Sequence, residues 1–414
     1  MDLIIRNARC ATSATAVTDI GIANGRIAAI APGITGDARV IDAGGRWASP
    51  GFVESHLHLD KSCIMDRCKA ERGDLAEAIA EVSAAKKAFT VVDVYARGKR
   101  TLERCILQGT THIRTQLEID PIIRHTGFEA IKQLASDYSW AVDIEICVFP
   151  QEGLLNNPGT DDLLVAAMRN GAHVIGACPY VDTNPNGQID RIFDIARDFD
   201  SDIDMHLDFS LATDRLDLDY VCAVTEQRKW GGRVTVGHVS KLSAVTPDVF
   251  ADYARRMADA GVALIALPST DLYLMGREHT HNVPRGLARA HELLGHGVNC
   301  ALSTNNVLNP FTPFGDCSLL RQANLYANAA QVGRTDDLRD CLDMVTTRAA
   351  RLMNVEGYGL QVGNAADLVI LDCESPSQAV AELAPVLFAI KRGRVTVTRE
   401  APVLHRPAQS RSDP

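Results

Sequence analysis

Eight strand-like runs, each followed by a longer stretch of helical character, constrain the fold of this chain more than any other feature. They are Gly51 to Leu59, Thr111 to Leu117, Val142 to Phe149, His173 to Pro179, Ile203 to Leu207, Arg233 to Val239, Val262 to Leu267 and Val298 to Leu302. The first helix is expected over Asp74 to Phe89, opened by Asp74 as its N-cap. Such alternation predicts a (β/α)8 barrel, the TIM-barrel form of the α/β class, with its chemistry at the C-terminal ends of the strands.

Shorter strands occupy both ends of the chain. The first group is Leu3 to Ala8, Ile20 to Ile30 with an Asn24-Gly25 hairpin signal, and Val40 to Asp42 before Gly44-Gly45. The second is Ala366 to Leu371 and Leu387 to Thr398, with a turn at Arg392-Gly393. Neither group can close a core alone, so the two are expected to pair into one small β-sandwich. That sandwich takes residues 1–49 and 359–401, the barrel residues 50–358, and residues 402–414 read as a loosely held tail. A length of 414 residues suits one large and one small domain, and 46% hydrophobic residues supply their cores.

A net charge of -10 without any Lys/Arg run argues against a nucleic-acid or anionic-membrane partner. No apolar run reaches the roughly 18 residues of a membrane span. The eleven cysteines are scattered without a Cys-x-x-Cys, and the N-terminus reads as a strand rather than a leader. Reduced thiols in a cytoplasmic protein are the consequence. The partner expected is a small molecule; subunit number stays open, a homo-oligomer included.

His56 and His58 end the run Gly51-Phe52-Val53-Glu54-Ser55-His56-Leu57-His58-Leu59-Asp60-Lys61. Alternate residues of a strand point the same way, so the pair presents two imidazoles to one side. His206 and His238 end the fifth and sixth runs, and the eighth leads into Ser303-Thr304-Asn305-Asn306. One barrel mouth would gather all of these into a metal site.

The chain resembles the amidohydrolase superfamily, and within it the cytosine deaminase-like branch. Carrying the likeness are the Gly51 to Ser62 segment, Phe149-Pro150-Gln151-Glu152-Gly153 and Asn305-Asn306-Val307-Leu308-Asn309-Pro310. The resemblance implies one divalent ion held by His56, His58 and His206 with the residue at 305. It places His238 against the activated water and Gln151 on the amide edge of the substrate. No carboxylated lysine is implied, since Ala177-Cys178-Pro179-Tyr180 offers none.

Two departures bear on chemistry. Asn305 stands where the family has its water-activating aspartate, and Phe209 where the deaminases have a glutamate. Gln116 also replaces a histidine of that branch. Proton handling of this kind contributes about 10²–10⁴ in rate, so cytosine deamination is not expected. Activated water can survive the change, because three neutral imidazoles bring zinc-bound water to a pKa of about 7 in carbonic anhydrase.

The function expected is therefore metal-dependent hydrolysis of a non-peptide C–N bond by a metal-bound hydroxide. The substrate is a ring amide, a urea-like compound or an amino-heterocycle. The alternatives are C–S or carbamate hydrolysis, or a degenerate binding protein. Zinc is the foremost ion, with iron, manganese or cobalt also suited to three histidines and an amide oxygen.

His238, Asn305 and Asp208 are the catalytic candidates, and Gln151, Phe209, Tyr180, Arg277 and Lys61 the substrate-binding ones. Each has a plainer reading. Asp60 and Lys61 could form an ion pair, Asp208 could turn its strand into a loop, and Tyr180, Asp182 and Arg114 could serve loop backbone. His279 and His281 read as a substrate loop, and Cys178 and Cys300 as core thiols.

Overall fold

The computed structural model of the protein describes residues 1–11, 16–400 and 402–405. Five strands precede the barrel: β1 (Leu3–Ala8), β2 (Thr18–Ala23), β3 (Arg26–Ala31), β4 (Arg39–Asp42) and β5 (Trp47–Pro50). The barrel strands are β6 (Phe52–Leu57), β7 (Thr110–Glu118), β8 (Asp143–Phe149), β9 (Val174–Ala177), β10 (Asp202–Leu207), β11 (Val234–His238), β12 (Val262–Ala266) and β13 (Cys300–Leu302). Three more follow: β14 (Leu368–Leu371), β15 (Val386–Lys391) and β16 (Arg394–Thr398).

Strands β6 to β13 form one parallel sheet in chain order. Helices cover its outside and side chains fill its inside, so β6, β7, β9, β11 and β13 are buried along their whole length. Gly176 permits a close approach between strands: a Cβ there would stand 2.7 Å from Phe149 Cβ and 2.8 Å from the Asp204 carbonyl. The first helix spans Leu75–Ala85, and the Asp74 carboxylate accepts the Glu77 amide at 2.8 Å.

The barrel closes where β6 meets the end of β13, through a bridge between Leu57 and Asn305. The His58 amide donates to the Asn305 carbonyl and the Asn305 amide to the His56 carbonyl, each at 2.9 Å. Glu54 fastens the same seam, accepting the Thr304 amide at 2.9 Å and the hydroxyls of Ser303 and Thr304. The closing seam is thus also the place where the histidines of β6 are held.

The two ends of the chain make a pair of four-stranded sheets, ordered β3-β2-β1-β4 and β16-β15-β14-β5. Leu3, Ile5, Ile20, Ile22, Leu368, Ile370 and Ile390 pack together in their shared core. Strand β5, too short and mixed to read from sequence, joins the second sheet by antiparallel pairing with β14. The Lys391 ammonium donates to Asp367 and Asp143 at 2.7 Å each and to the Thr111 carbonyl at 3.0 Å, locking the sandwich under the barrel. Apart from residues 402–405, the expected tail lies outside the described residues. Among the described residues no helix is long and apolar enough to cross a membrane.

Candidate metal centre and active site

Three imidazoles converge at the barrel mouth. His206 Nε2 lies 3.1 Å from both His56 Nε2 and His58 Nε2. His58 Nδ1 faces the Gln116 carbonyl at 3.1 Å, and His56 Nδ1 faces Asp204 Oδ1 at 3.4 Å. The Gln116 carbonyl holds the His58 proton on Nδ1, and the Asp204 charge beside His56 Nδ1 favours the same tautomer there, which leaves a lone pair on each Nε2. Lone pairs gathered this closely repel one another unless a cation stands among them. Nitrogen ligands about 2.0–2.1 Å from a tetrahedral ion stand roughly 3.3 Å apart, close to the observed spacing.

Burial fixes the protonation state that a ligand needs. It pushes His58 and His206 well below the ordinary histidine range and lowers His56 as well; the nearby Lys61 charge acts in the same direction on all three. Asn305 Oδ1 is buried and has no hydrogen-bond partner. An orphaned amide oxygen is costly, and a cation would satisfy it. The donor set therefore fits one divalent ion.

The remaining groups surround this set. His238, on β11, directs Nδ1 at Asp271 Oδ1 over 2.6 Å, and Asp271 Oδ2 accepts the Leu267 amide at 3.1 Å. The Phe209 ring lies against the His238 ring with centroids 3.8 Å apart. Gln151 and Lys61 are buried beside Phe149, whose ring stacks on His206 at 4.5 Å. Tyr180 and Phe209 pack with Ile64, Leu274, Met275 and Phe311 into an apolar wall.

Left-handed backbone recurs at these strand ends, with φ of +48° at Asp208, +67° at His238, +47° at Val239 and +63° at Asn305. A β-branched residue such as Val239 is a true outlier there. Such conformations cost of order 1–3 kcal/mol each and cluster at functional sites.

The remaining candidates have partners of their own. Both Asp208 oxygens accept backbone amides, from Asp217 and Leu218 at 3.0 Å each, with Lys241 at 3.3 Å. It shapes the loop after β10, the plainer of the two readings of this residue. Arg277 is exposed and donates to the carbonyls of Tyr273 and Arg72, so it is not brought to the histidines. Asp60 and Lys61 do not pair as ions: Asp60 accepts the amides of Glu118 and Lys61, while the Lys61 ammonium goes to Glu118 at 2.8 Å. Asp182 serves loop backbone, accepting the Leu154 and Leu155 amides. Arg114 is fully buried and bonds Asp204 at 3.2 Å. His279 and His281 lie in an exposed loop. Burial pushes the Cys178 thiol up to about 12, which keeps it protonated and inert.

Asp204 and Asp271 are the functional neighbours that sequence reasoning passed over. Asp204 carried a signal, since it lies two residues before His206 on the same strand. Asp271 carried none, because it sits past the end of β12, in the helix Pro268–Leu274.

Residues 69–397 match the sequence model of the amidohydrolase family. The chain belongs to that family, and its fold and site place it in the cytosine deaminase-like branch. It is 27% identical over 408 residues to N-isopropylammelide isopropyl amidohydrolase of Pseudomonas sp. (strain ADP), covering 96% of this chain and 98% of the relative. Pterin deaminase of Rhizobium rhizogenes (strain K84 / ATCC BAA-868) is 27% identical over 387 residues, 91% of this chain and 87% of its own. Among solved structures, 5-methylcytosine deaminase from Klebsiella pneumoniae liganded with 5-fluorocytosine superposes with a TM-score of 0.93 at 28% identity. That match covers 98% of this chain and all of the other.

Proposed function

We propose that the protein is a metal-dependent hydrolase that cleaves a non-peptide C–N bond in a small heterocycle or urea-like compound. The convergence of three Nε2 atoms beside the orphaned Asn305 oxygen carries this reading. Relatives named for N-isopropylammelide and pterin support the substrate class. His56, His58 and His206 would hold the ion with Asn305 as a neutral fourth donor, and zinc suits that set. Bound there, the ion supplies Lewis-acid activation of water. We place the activity in the cytoplasm, in keeping with the free thiols from Cys63 to Cys373.

His238 handles the proton. The Asp271 carboxylate holds its Nδ1–H, which leaves Nε2 free to take a proton from attacking water and return it to the departing nitrogen. As the water oxygen bonds to carbon and the C–N bond breaks, that one proton ends on the amine. The other candidate donors are engaged: Asp208 and Asp60 by backbone amides, Lys61 by Glu118 and Gln151. Phe209 covers one face of His238 and gives the pocket an apolar wall where deaminases carry an acid.

The test is metal analysis followed by turnover of cyclic ureas, hydantoin-like rings, aminotriazines and carbamates by the zinc-loaded protein. One ion per chain with hydrolysis of a ring compound is the expected result. A stoichiometric ion with no turnover across the panel would favour a binding protein instead.

A further inference from the structure

Below the three histidines the inside of the barrel is charged. Arg114 is fully buried on β7, and its guanidinium bridges two carboxylates of other strands. Nε donates to Glu145 Oε2 on β8 at 2.5 Å, and Nη1 to Asp204 Oδ2 on β10 at 3.2 Å. Two strands, β8 and β9, separate β7 from β10, so the side chain must cross the inside of the barrel to make the second bond. The residue that β9 pairs with Asp204 is Gly176, and a glycine there puts no side chain in the way.

Asp204 is fully buried too, and its two oxygens have different neighbours. Oδ2 takes the bond from Arg114, while Oδ1 faces His56 Nδ1 at 3.4 Å. That is longer than N–H···O bonds of about 2.7–3.2 Å, and neither atom has a hydrogen-bond partner. A carboxylate with no other claim on it would close on the imidazole, because charge-assisted bonds are shorter still. The guanidinium holds this one back, and among the described residues Arg114 is the one arginine or lysine paired with it.

We propose that Arg114 is a positioning residue: by holding Asp204 Oδ2 it keeps the carboxylate short of a full bond to His56 Nδ1, so that Asp204 sets which ring nitrogen carries the proton without passing its charge on to the ion. The inference rests on the metal reading above. A carboxylate hydrogen-bonded to a metal-binding histidine makes the ring a stronger donor and holds the ion more tightly. Charge passed on in that way also weakens the pull of the ion on water and on a substrate oxygen. Arg114 therefore costs some metal affinity and strengthens the field at the reacting atoms.

Zinc affinity, measured by competition with a chelator, separates this role from a merely structural one. Arg114→Met frees Asp204 to close on His56, and zinc should bind about tenfold more tightly. Asp204→Asn removes the carboxylate and should weaken zinc about 10–100-fold. In the double variant no carboxylate is left for position 114 to act on, so its affinity should match that of Asp204→Asn within about threefold. A structural Arg114 would weaken zinc when replaced in either background, and a bare distant charge would tighten it equally in both; either result overturns the proposal. The double variant strands no fully buried carboxylate, since Glu145 is partly exposed, so its comparison with Asp204→Asn holds even if Arg114→Met fails to fold.

A second readout is spectroscopic. In zinc-loaded protein labelled with ¹⁵N at histidine, the His56 Nδ1 proton, assigned by its loss in His56→Gln, should move downfield in Arg114→Met as the bond to Asp204 shortens. An unmoved proton would show that Arg114 does not hold Asp204 away, and the proposal would fall. If the unmodified protein binds no zinc, the metal reading fails and takes the affinity half of the proposal with it. The same proton, read in metal-free protein, then still decides whether Arg114 positions Asp204.

Discussion

Replacing Asp271 by Asn tests the proton-handling role of His238 with almost no change in shape. Asp271 is fully buried and makes two bonds, accepting His238 Nδ1–H at 2.6 Å and the Leu267 amide at 3.1 Å. An asparagine has one oxygen for these two donors. The Leu267 amide cannot turn or change its proton, so the new carbonyl faces Leu267 and the new NH2 faces His238. The imidazole must then accept at Nδ1 and carry its proton on Nε2, the nitrogen assigned to take a proton from water. The same exchange in a Ser-His-Asp triad costs about 10⁴ in kcat through the wrong tautomer. Here the loss should fall in the range of general acid-base effects, about 10²–10⁴, or roughly 3–5 kcal/mol of barrier. The assay is steady-state turnover of whichever ring substrate the zinc-loaded enzyme hydrolyses, with metal content measured alongside. ¹⁵N spectra of the His238 ring report the tautomer directly. Metal content should stay at one ion per chain, because Asp271 touches none of the three converging histidines. Activity within threefold of the parent would refute the reasoning, and so would a lost ion.

Replacing His56 or His206 by Ala should cut bound zinc to well below one ion per chain and abolish turnover; full zinc content by elemental analysis in either variant would contradict the site. Asn305→Asp should not create a cytosine deaminase, because Phe209 still supplies no acid, and a gap of about 10²–10⁴ in rate remains. Only its combination with Phe209→Glu should deaminate cytosine, and vigorous deamination by the single variant would sink this claim. Lys86→Met should destabilise the protein by about 3–5 kcal/mol at neutral pH, since it strands buried carboxylates. Burial alone would raise the Glu118 pKa, but Lys61 and Lys86 hold it at about 2, below its ordinary 4.5. The stability this lends is present above about pH 4.5 and lost as pH falls towards 2, so urea unfolding should show the variant's deficit narrowing as pH falls below about 4.5. A deficit independent of pH would show that lost packing, rather than lost charge, is responsible.

The parts legible in the sequence are those that depend on local pattern. The eight barrel strands lie where the strand-like runs of the sequence fall, and the His-x-His pair follows from strand alternation alone. Strand β5 escaped because Trp-Ala-Ser-Pro has neither length nor alternation, and only its partner β14 makes it a strand. Asp271 escaped for a related reason. Its role comes from the 2.6 Å approach of a histidine 33 residues away, and nothing near it in the chain differs from an ordinary helix-opening acid. Asp208 allowed two readings in the sequence, a substitute proton donor or a turn from strand to loop. The backbone turn at φ +48° gives its carboxylate to the amides of the next helix instead. Arg277 looked available because loop sequence carries no record of which carbonyls a guanidinium will find.

The charges around the site explain how chemistry can outlast the loss of the family's aspartate. Asn305 brings an oxygen without a negative charge, so none of the four proposed donors offsets the charge of a divalent ion. Two nearby carboxylates do not make up the difference, because each is paired with a cation: Asp204 with Arg114, and Glu118 with Lys61 and Lys86. The site is therefore more electropositive than one containing the aspartate, and Lys61 adds to it, as its effect on all three imidazoles shows. Negative charge that develops on a substrate oxygen during attack is stabilised strongly in such a buried, preorganised field. A stronger field of this kind can replace part of what a dedicated base contributes, provided the leaving group asks for only one proton. In the proposed mechanism His238, backed by Asp271, supplies that one. In the proposed mechanism the substitution at 305 and the Asp271–His238 pair thus belong to the same solution, in which electrostatic stabilisation carries more of the barrier and proton transfer is left to a single imidazole.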